Sequence, residues 1–248
     1  MKFSVITVCF NSSQTIEKTI DSVLSQRNVD LEYIIIDGGS SDGTTDIINQ
    51  FNHKRLLLVS EKDKGMYDAI NKGLSIAKGD YVVLLHADDY WDSNLYLSAI
   101  KSELGRTQAM VAYSNVKFFS SRKNKVVRTW VSSTFRKFYL LLGWMPPHTS
   151  LILNKEVVND IGDYRLDLGS ASDFDYCLRV FNKYGERSVH VEDNYVMMRL
   201  GGISTKSIDS IKNNILCDYR ILRLRYSVPL SMFALIMKRL IKVLQFIQ

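Results

Sequence analysis

Short apolar runs alternate with helical patterns through the first third of the chain. The runs are rich in β-branched and aromatic residues, contain no proline, and span 3–10, 31–37, 55–61 and 80–86. Between them, apolar residues recur on one helix face, as at Ile16, Ile20, Val23 and Leu24. Nearly continuous apolar strands that alternate with helices are typical of a sheet covered on both faces. The pattern predicts an α/β fold with a mainly parallel sheet.

The second half of the chain is less regular. We predict a strand near 109–119, a basic loop at 120–125, a helix at 172–183 and a strand near 188–197. The residues after 205 show a helical pattern that is interrupted at Pro229. The length suits one α/β domain with an accessory segment. We therefore predict a domain over 1–205 and a helical C-terminal segment over 206–248.

Composition and charge narrow the functional classes. The chain has 248 residues, 46% of them hydrophobic and 23% charged, with only 3 widely separated cysteines. These values exclude a disordered chain and a disulfide scaffold, and they predict reduced thiols in the cytosol. No uncharged apolar stretch reaches the length of about 18 residues that a transmembrane helix needs. The net charge is +6, and basic residues dominate after Lys206, where they could attract nucleic acid or an anionic membrane.

Polar residues follow the predicted strands at the points where the strands end. They are Asn11, Asp37, Glu61, Asp88 and Asp89. Right-handed crossovers bring the carboxyl ends of parallel strands to one edge of the sheet, where ligands bind in such folds. We therefore expect these side chains to share one crevice and to contact a substrate there.

The turn after the second strand reads DGGSSDGT (37–44). Its adjacent glycines do not match the spacing of dinucleotide-binding or P-loop motifs. The Asp37 carboxylate could accept hydrogen bonds from a uracil-type imide or a ribose, while the glycines allow close approach. Alternatively, the turn only begins the next helix, with Asp42 or Thr44 as its N-cap. We expect ligand contact for Asp37 and a capping role for Asp42.

Asp88 and Asp89 follow the apolar run YVVLL (81–85). Adjacent carboxylates repel each other and lose hydration there unless a cation lies beside them. Mg²⁺ or Mn²⁺ supplies such a charge and bridges carboxylates to substrate phosphates. The alternative is a pair of solvated turn carboxylates. We predict a divalent-cation site at Asp88 and Asp89.

Two further segments carry candidate acids. Glu61 precedes a helix on which Asp68, Asn71 and Lys72 share one side. These residues either face the crevice or only favour the start of the helix, whose N-terminus attracts acids. Asp173 opens a later helix, where it is either a terminal charge or a catalytic base that points back into the crevice.

Together these motifs resemble those of family 2 glycosyltransferases with the GT-A fold. They occur in order over about the first 205 residues and read SVITVCFN, DGGSSDGT, SEKDKGMYDAINKG, GDYVVLLHADDYW, PPHTSLI, SASDFDYCLRV and GGIST. The resemblance implies a Rossmann-like sheet with C-terminal helices. It extends to bacterial enzymes that build colanic acid, O-antigen and exopolysaccharide.

The resemblance also implies roles for individual residues on the donor side. Asp37 and Asp68 resemble acids that contact a nucleotide-sugar. Asp88 and Asp89 occupy the DxD-type position that holds the divalent metal and the diphosphate. The sequence departs from that pattern at its first position, which is His86.

On the acceptor side, Asp173 occupies the position of the general base, and His148 resembles a histidine near the acceptor. An inverting transfer needs one base for the acceptor hydroxyl and one cation for the leaving diphosphate. The resemblance implies transfer from a nucleotide-diphosphate sugar, with UDP expected, to a glycan or lipid-linked acceptor in surface polysaccharide synthesis. The alternatives are a donor-binding module without catalysis and a membrane-attached assembly partner.

The tail, 230–248, has the pattern of a basic amphipathic helix. Its apolar face comprises Phe233, Ile236, Met237, Leu240, Ile241 and Leu244, with Lys238, Arg239, Lys242 and Gln245 largely elsewhere. Such a helix can lie in the interface of an anionic membrane, and its basic residues add attraction. The alternative is a packing helix or a homo-oligomer contact. We expect a cytoplasmic enzyme, peripheral on the inner face of the cytoplasmic membrane, without a nucleic-acid partner.

Overall fold

The first four strands form the parallel half of the sheet. The structure is a computed structural model that describes residues 1–200 and 208–244, and side chains of the second range from 214 to 240. The elements of this half are β1 (Lys2–Cys9), α1 (Ile16–Leu24), β2 (Asp30–Asp37), α2 (Thr44–Gln50), β3 (Leu56–Ser60), α3 (Met66–Ile76) and β4 (Tyr81–Leu84). The strands lie in the order β3-β2-β1-β4, all paired in parallel. The predicted strands and helices are confirmed here, and the register aligns Cys9, Asp37 and Ser60 at the carboxyl edge.

The second half extends the sheet with mixed strand directions. Its elements are β5 (Tyr90–Trp91), α4 (Tyr96–Thr107), β6 (Val111–Ser120), β7 (Lys125–Trp130), β8 (Ile152–Asn154), α5 (Lys155–Ile161), α6 (Ser172–Tyr184) and β9 (Ser188–Arg199). The order continues from β4 as β8-β6-β9-β5, and β7 pairs with β6. Only the β6–β9 pair is parallel among the pairings that the described residues make in this half. The predicted strands and helix of this half correspond to β6, β9 and α6.

Helices cover both faces of the sheet, as predicted. Alternate side chains of a strand point to opposite faces, so Ile34 and Ile36 of β2 pack with α3 and α6. Tyr33 and Ile35 of the same strand pack in the other layer, with α1 and α4. Full burial of an aliphatic side chain contributes roughly 1.5–3 kcal/mol to stability. Because each layer buries many such side chains, their packing holds the strands and the strand ends in place.

Two C-terminal helices pack on the layer that contains α6. They are α7 (Ile208–Arg223) and α8 (Val228–Leu244), and Pro229 lies in the first turn of α8, where its missing N–H costs nothing. Ile221, Leu222 and Ala234 are fully buried in that layer. The predicted boundary at 205/206 and the GGIST segment lie outside the described residues. Within the described ranges, no helix is both long enough and apolar enough to cross a bilayer.

Candidate active site

The Asp37 carboxylate holds together the turn after β2. Oδ2 accepts hydrogen bonds from the Gly39 N–H (3.1 Å), the Ser40 N–H (3.0 Å) and the Ser60 hydroxyl (2.7 Å). Oδ1 accepts from the Ser40 hydroxyl and, at 3.5 Å, from the Cys9 thiol. Burial raises the pKa of Asp37, but the hydrogen bonds from Ser40 and Ser60 outweigh it and the net shift is downward. Direct contact with a nucleotide stays a prediction, because a ligand would have to replace one of these partners.

Asn11 and Asp42 brace the same turn. Asn11 has a φ of 49°, a left-handed conformation that Asn adopts more readily than most residues. Its Oδ1 accepts the N–H of Ser41 at 3.0 Å, and its own N–H donates to the Ser40 hydroxyl at 2.8 Å. Asp42 accepts the N–H of Thr44 at 3.1 Å, directly where α2 begins. The N-cap of α2 is Gly43, so neither Asp42 nor Thr44 is the cap that was predicted, and Asp42 instead supports the turn one residue before the cap.

Two residues that the sequence analysis missed, Asp63 and Phe10, lie beside this turn. A Cβ atom at Gly38 would be 2.5 Å from Oδ2 of Asp63 and 3.4 Å from the Phe10 ring. Asp63 is oriented by the N–H of Gly65, which donates to its Oδ1 at 2.8 Å, and Phe10 is 63% exposed. An exposed ring can stack on a base while the neighbouring carboxylate accepts hydrogen bonds from the N–H groups of that base. Asp63 lies within the segment SEKDKGMYDAINKG, which could have marked it as a candidate, but no sequence signal shows that Phe10 is exposed.

Glu61 and Asp68 are bridged by one cation. The Nζ atom of Lys72 lies 2.8 Å from Oε1 of Glu61 and 3.7 Å from Oδ2 of Asp68. Asn71, from the same side of α3, instead binds the backbone of Tyr164 with two hydrogen bonds of 2.9 Å. The structure therefore brings Glu61 and Asp68 together, whereas Asn71 fixes the segment that precedes α6.

The turn after β4 presents one exposed and one buried acid. Asp88 is exposed, and Asp89 is only 2% exposed. Burial and then the neighbouring Asp88 raise the pKa of Asp89 well above its ordinary value. Partial desolvation of the Asp88 carboxylate also raises its pKa, while the charge of Arg199 at the end of β9 acts in the opposite direction. Oδ2 of Asp89 is buried and has no hydrogen-bond partner within the described part of the chain.

Asp88 and Asp89 suit a cation site whose coordination is completed by oxygens of a bound substrate. The unpartnered oxygen of Asp89 is a ligand for a hard cation such as Mg²⁺ or Mn²⁺, both of which prefer oxygen. Residues 1–200 and 208–244 nevertheless contain no group of three or more His, Cys, Asp or Glu that could hold a metal by themselves. Magnesium sites commonly use one or two carboxylates and take further ligands from substrate phosphates.

A chain of polar side chains links this turn to α6. Nε2 of His86 lies 3.4 Å from Nε2 of His148, and Nδ1 of His148 lies 3.4 Å from Oδ2 of Asp173. Oδ1 of Asp173 accepts the N–H of Phe174 at 2.7 Å. Burial and then His148 lower the pKa of His86 to about 3, so its ring is neutral. The structure thus brings His148 and Asp173 together, and it adds as a partner His86, the residue at which the sequence departs from the DxD-type pattern.

The sequence that forms these strand ends and turns matches a known family of enzymes. Residues 4–162 match the family model described as glycosyl transferase family 2. The chain belongs to this family of glycosyltransferases. It is similar to WfaP of Escherichia coli, a UDP-Glc:alpha-D-GlcNAc-diphosphoundecaprenol beta-1,3-glucosyltransferase. The two are 27% identical over 212 residues, which cover 84% of this chain and 82% of WfaP.

Solved structures of other proteins share the fold of this glycosyltransferase. TarS of S. aureus, in complex with UDP-GlcNAc, has a TM-score of 0.69 and 21% identity, and covers 93% of this chain and 69% of its own. The mannosyltransferase PcManGT of Pyrobaculum calidifontis, in complex with GDP-Man and Mn²⁺, has a TM-score of 0.65 and 20% identity, with 95% and 68% covered. The predicted GT-A fold is thereby confirmed.

Proposed function

We propose that this glycosyltransferase inverts the anomeric centre as it moves a sugar from a UDP-sugar to a hydroxyl of a glycan or lipid-linked acceptor. The product would be part of a bacterial surface polysaccharide. The observation that carries the proposal is the link from Asp173 through His148 to His86. It connects a candidate base to a residue two positions before Asp88. The name of WfaP, with its UDP-glucose donor and diphosphoundecaprenol-linked acceptor, supports both substrate classes.

The donor nucleotide would bind at the turn after β2. The Phe10 ring stacks on the base, and the Asp63 carboxylate accepts the N3–H of uracil. Asp37 keeps the turn in the shape that the base requires, and Asn11, Glu61 and Asp68 contact the remainder of the nucleotide. The UDP-GlcNAc complex of TarS, which has the same fold, supports a uridine donor.

Asp88 and Asp89 would hold Mg²⁺ or Mn²⁺ together with the donor diphosphate. When bound, the cation neutralises charge on the departing nucleoside diphosphate. The buried, unpartnered oxygen of Asp89 supports this assignment, because a cation offsets the cost of its burial. The Mn²⁺ in the PcManGT structure supports the choice of metal.

Asp173 would act as the general base. Its carboxylate takes the proton of the acceptor hydroxyl as that oxygen bonds to the anomeric carbon, and the bond from this carbon to the diphosphate oxygen breaks. Attack opposite the leaving group inverts the anomeric configuration. His148 orients the carboxylate from 3.4 Å, and general-base catalysis contributes about 10²–10⁴-fold in rate.

Replacement of Asp173 by Asn tests this function. Asp173→Asn should lower acceptor-dependent UDP release by about 10²–10⁴-fold while calorimetry shows unchanged UDP affinity, because the base acts on the acceptor. Asp167→Asn, at an exposed acid shortly before α6, is the matched control and should keep full activity. If wild-type protein binds UDP-sugars but transfers no sugar to any lipid-linked or glycan acceptor, the donor-binding module without catalysis is correct instead.

The C-terminal helices would dock the enzyme on the inner face of the cytoplasmic membrane. The exposed apolar residues of α8 include Met232, Phe233, Ile236 and Leu240. Lys238 and Arg239 supply less than the expected attraction, because both bind the single carboxylate of Asp218 of α7, each at 2.8 Å. Exposed basic residues instead come from Arg136 and Lys137, at a 3₁₀ helix (Lys137–Leu142) that packs on α8.

Liposome binding tests this location. Wild-type protein should sediment with anionic vesicles and dissociate as salt is added, because screening weakens attraction between surface charges. Ile236→Glu should abolish sedimentation, whereas Leu57→Glu, at an exposed apolar residue of β3, should not. A wild-type dimer that Ile236→Glu converts to monomers, without vesicle binding, would identify the exposed apolar residues of α8 as an oligomer contact.

A further inference from the structure

We propose that α7 and α8 position the catalytic base, with Lys238 and Arg225 as the positioning residues. The inference rests on the proposed role of Asp173 as general base. The C-terminal segment would then contribute to catalysis as well as to membrane docking. Lys238 and Arg225 contact Phe174 and Asp175, the two residues that follow Asp173 in α6.

The first contact joins Lys238 of α8 to Phe174. The Nζ atom of Lys238 lies 3.2 Å from the centre of the Phe174 ring, which is 1% exposed. The same atom lies 2.8 Å from Oδ1 of Asp218, a buried residue of α7. Burial lowers the pKa of Lys238, and the charges of Asp218 and Asp173 oppose that shift. A buried ammonium needs such a partner, so Lys238 is confined between Asp218 and the ring.

The second contact joins Arg225, which follows α7, to Asp175. Nη2 of Arg225 lies 3.1 Å from Oδ1 of Asp175, and Nε of Arg179 lies 2.9 Å from Oδ2. The Asp175 side chain is 1% exposed, so both of its oxygens are engaged away from water. Arg179 also donates to the backbone carbonyl of Asp163 at 2.8 Å. Asp175 is therefore fixed between its own helix and the C-terminal helices.

Three consecutive residues of α6 thus have three different surroundings. Asp173 meets His148, Phe174 meets Lys238, and Asp175 meets Arg225. Successive side chains of a helix point about 100° apart. The contacts at Phe174 and Asp175 therefore fix the rotation of the first turn of α6 about the helix axis. That rotation sets the distance from Asp173 to the acceptor hydroxyl. A misplacement of about 1 Å can cost 10²-fold in rate.

Four substitutions in two pairs test the inference. Lys238→Met and Arg225→Gln remove the charges, whereas Lys238→Arg and Arg225→Lys retain them. The first pair should lower kcat for transfer by about 10–100-fold with donor KM and UDP Kd changed by less than about twofold. The conservative pair should recover most of kcat. Lys183, at the other end of α6, forms an ion pair of 2.6 Å with Asp160 of α5. Lys183→Met breaks this pair and is the matched control.

The outcomes separate this inference from the proposed function. Unchanged kcat in folded Lys238→Met and Arg225→Gln overturns the positioning role while sugar transfer stands. An equal loss of kcat in Lys183→Met also overturns it, because the effect would then be general destabilisation. If the wild type transfers no sugar, the proposed function fails, and hydrogen exchange of residues 172–176 decides whether Lys238 and Arg225 hold the first turn of α6. Faster exchange in both charge-removing variants supports it, and unchanged exchange overturns it. If Lys238→Met does not fold, Arg225→Gln carries the test, because Arg179 still pairs with Asp175 in that variant.

Discussion

The turns after β2 and β4 each bury a carboxylate at the same edge of the sheet, yet the two carboxylates have opposite surroundings. Asp37 is 0% exposed and Asp89 is 2% exposed. Asp37 accepts hydrogen bonds at both oxygens, whereas Oδ2 of Asp89 has none from any residue that the structure describes. The pKa of Asp37 is shifted downward and that of Asp89 upward.

The protein supplies hydrogen-bond donors to both oxygens of Asp37, whereas it leaves one buried oxygen of Asp89 without a donor among the described residues. Desolvation disfavours the ionised form of both groups, and hydrogen-bond donors outweigh it only for Asp37, because the single backbone donor to Asp89, from Arg199, does not reverse the upward shift of its pKa. Burial of an acid at a strand end therefore does not by itself indicate a ligand. The decisive observation is whether the protein already satisfies its oxygens.

The largest expected effect is on stability at the turn after β2. Asp37→Ala should lower the free energy of unfolding by about 3–4 kcal/mol, because it removes the acceptor of hydrogen bonds from Cys9, Ser40 and Ser60 and from two backbone N–H groups, each worth about 0.5–1.5 kcal/mol. Chemical denaturation measures the loss. Asp30→Ala, at an exposed acid that begins the same strand, should change stability by less than about 0.5 kcal/mol. Equal effects of the two substitutions would contradict the structural role of Asp37.

The next effect is on metal-dependent donor binding at the turn after β4. Asp89→Ala should weaken UDP binding in the presence of Mn²⁺ by about 10²-fold, equivalent to about 2.8 kcal/mol. Titration calorimetry with Mn²⁺ and with EDTA measures the difference. Asp92→Ala, at an exposed acid just beyond the turn, is the control. A full Mn²⁺ response in Asp89→Ala would remove Asp89 from the cation site.

A smaller effect of opposite sign is expected when metal is removed. In EDTA at pH 7, Asp89→Asn should raise the free energy of unfolding by about 1 kcal/mol, because a neutral amide avoids burial of an unpaired charge. Thermal or chemical denaturation measures the gain. Asp88→Asn, at the exposed neighbour, should change stability less. Destabilisation by Asp89→Asn in EDTA would show that the protein itself satisfies this carboxylate.

The pH dependence of stability should differ in direction between the two acids. The folded-state pKa of Asp37 is below the ordinary value of 3.8, so its stabilisation is present above that value and is lost as pH falls through the folded-state pKa. The folded-state pKa of Asp89 is above 3.8, so it costs stability as pH rises from 3.8 through the raised pKa. In EDTA, the gain from Asp89→Asn should therefore shrink on acidification and vanish below 3.8. A gain that is constant with pH would contradict the raised pKa.

Sequence patterns predicted the parallel half of the fold and the edge where the candidate site lies. Apolar runs define β1 to β4, and the parallel topology then brings Asp37 and Asp89 to one edge. The patterns could not predict which acid is saturated, because that depends on partners distant in the chain. Ser60 donates to Asp37 across 23 positions, and His86 meets His148 across 62.

The same limit applies to the side chains of the C-terminal helices. The helical pattern placed Lys238 and Arg239 off the apolar face, which is correct, but it could not show what they contact. Asp218, on the preceding helix, draws both inward across the hairpin. Short strands such as β8 were also missed, since three residues in length show no periodicity.

The close approach of Asp63 to Gly38 has a consequence for how related sequences can vary. A side chain at position 38 and the carboxylate of residue 63 would compete for one volume, since they would lie 2.5 Å apart. The two positions should therefore covary. Where position 38 carries a larger residue, position 63 should be small or turned away, and an acid at 38 could then replace the one at 63. Related sequences would then keep a carboxylate at this place in the structure, although the residue that supplies it would be at position 38 in some and at position 63 in others.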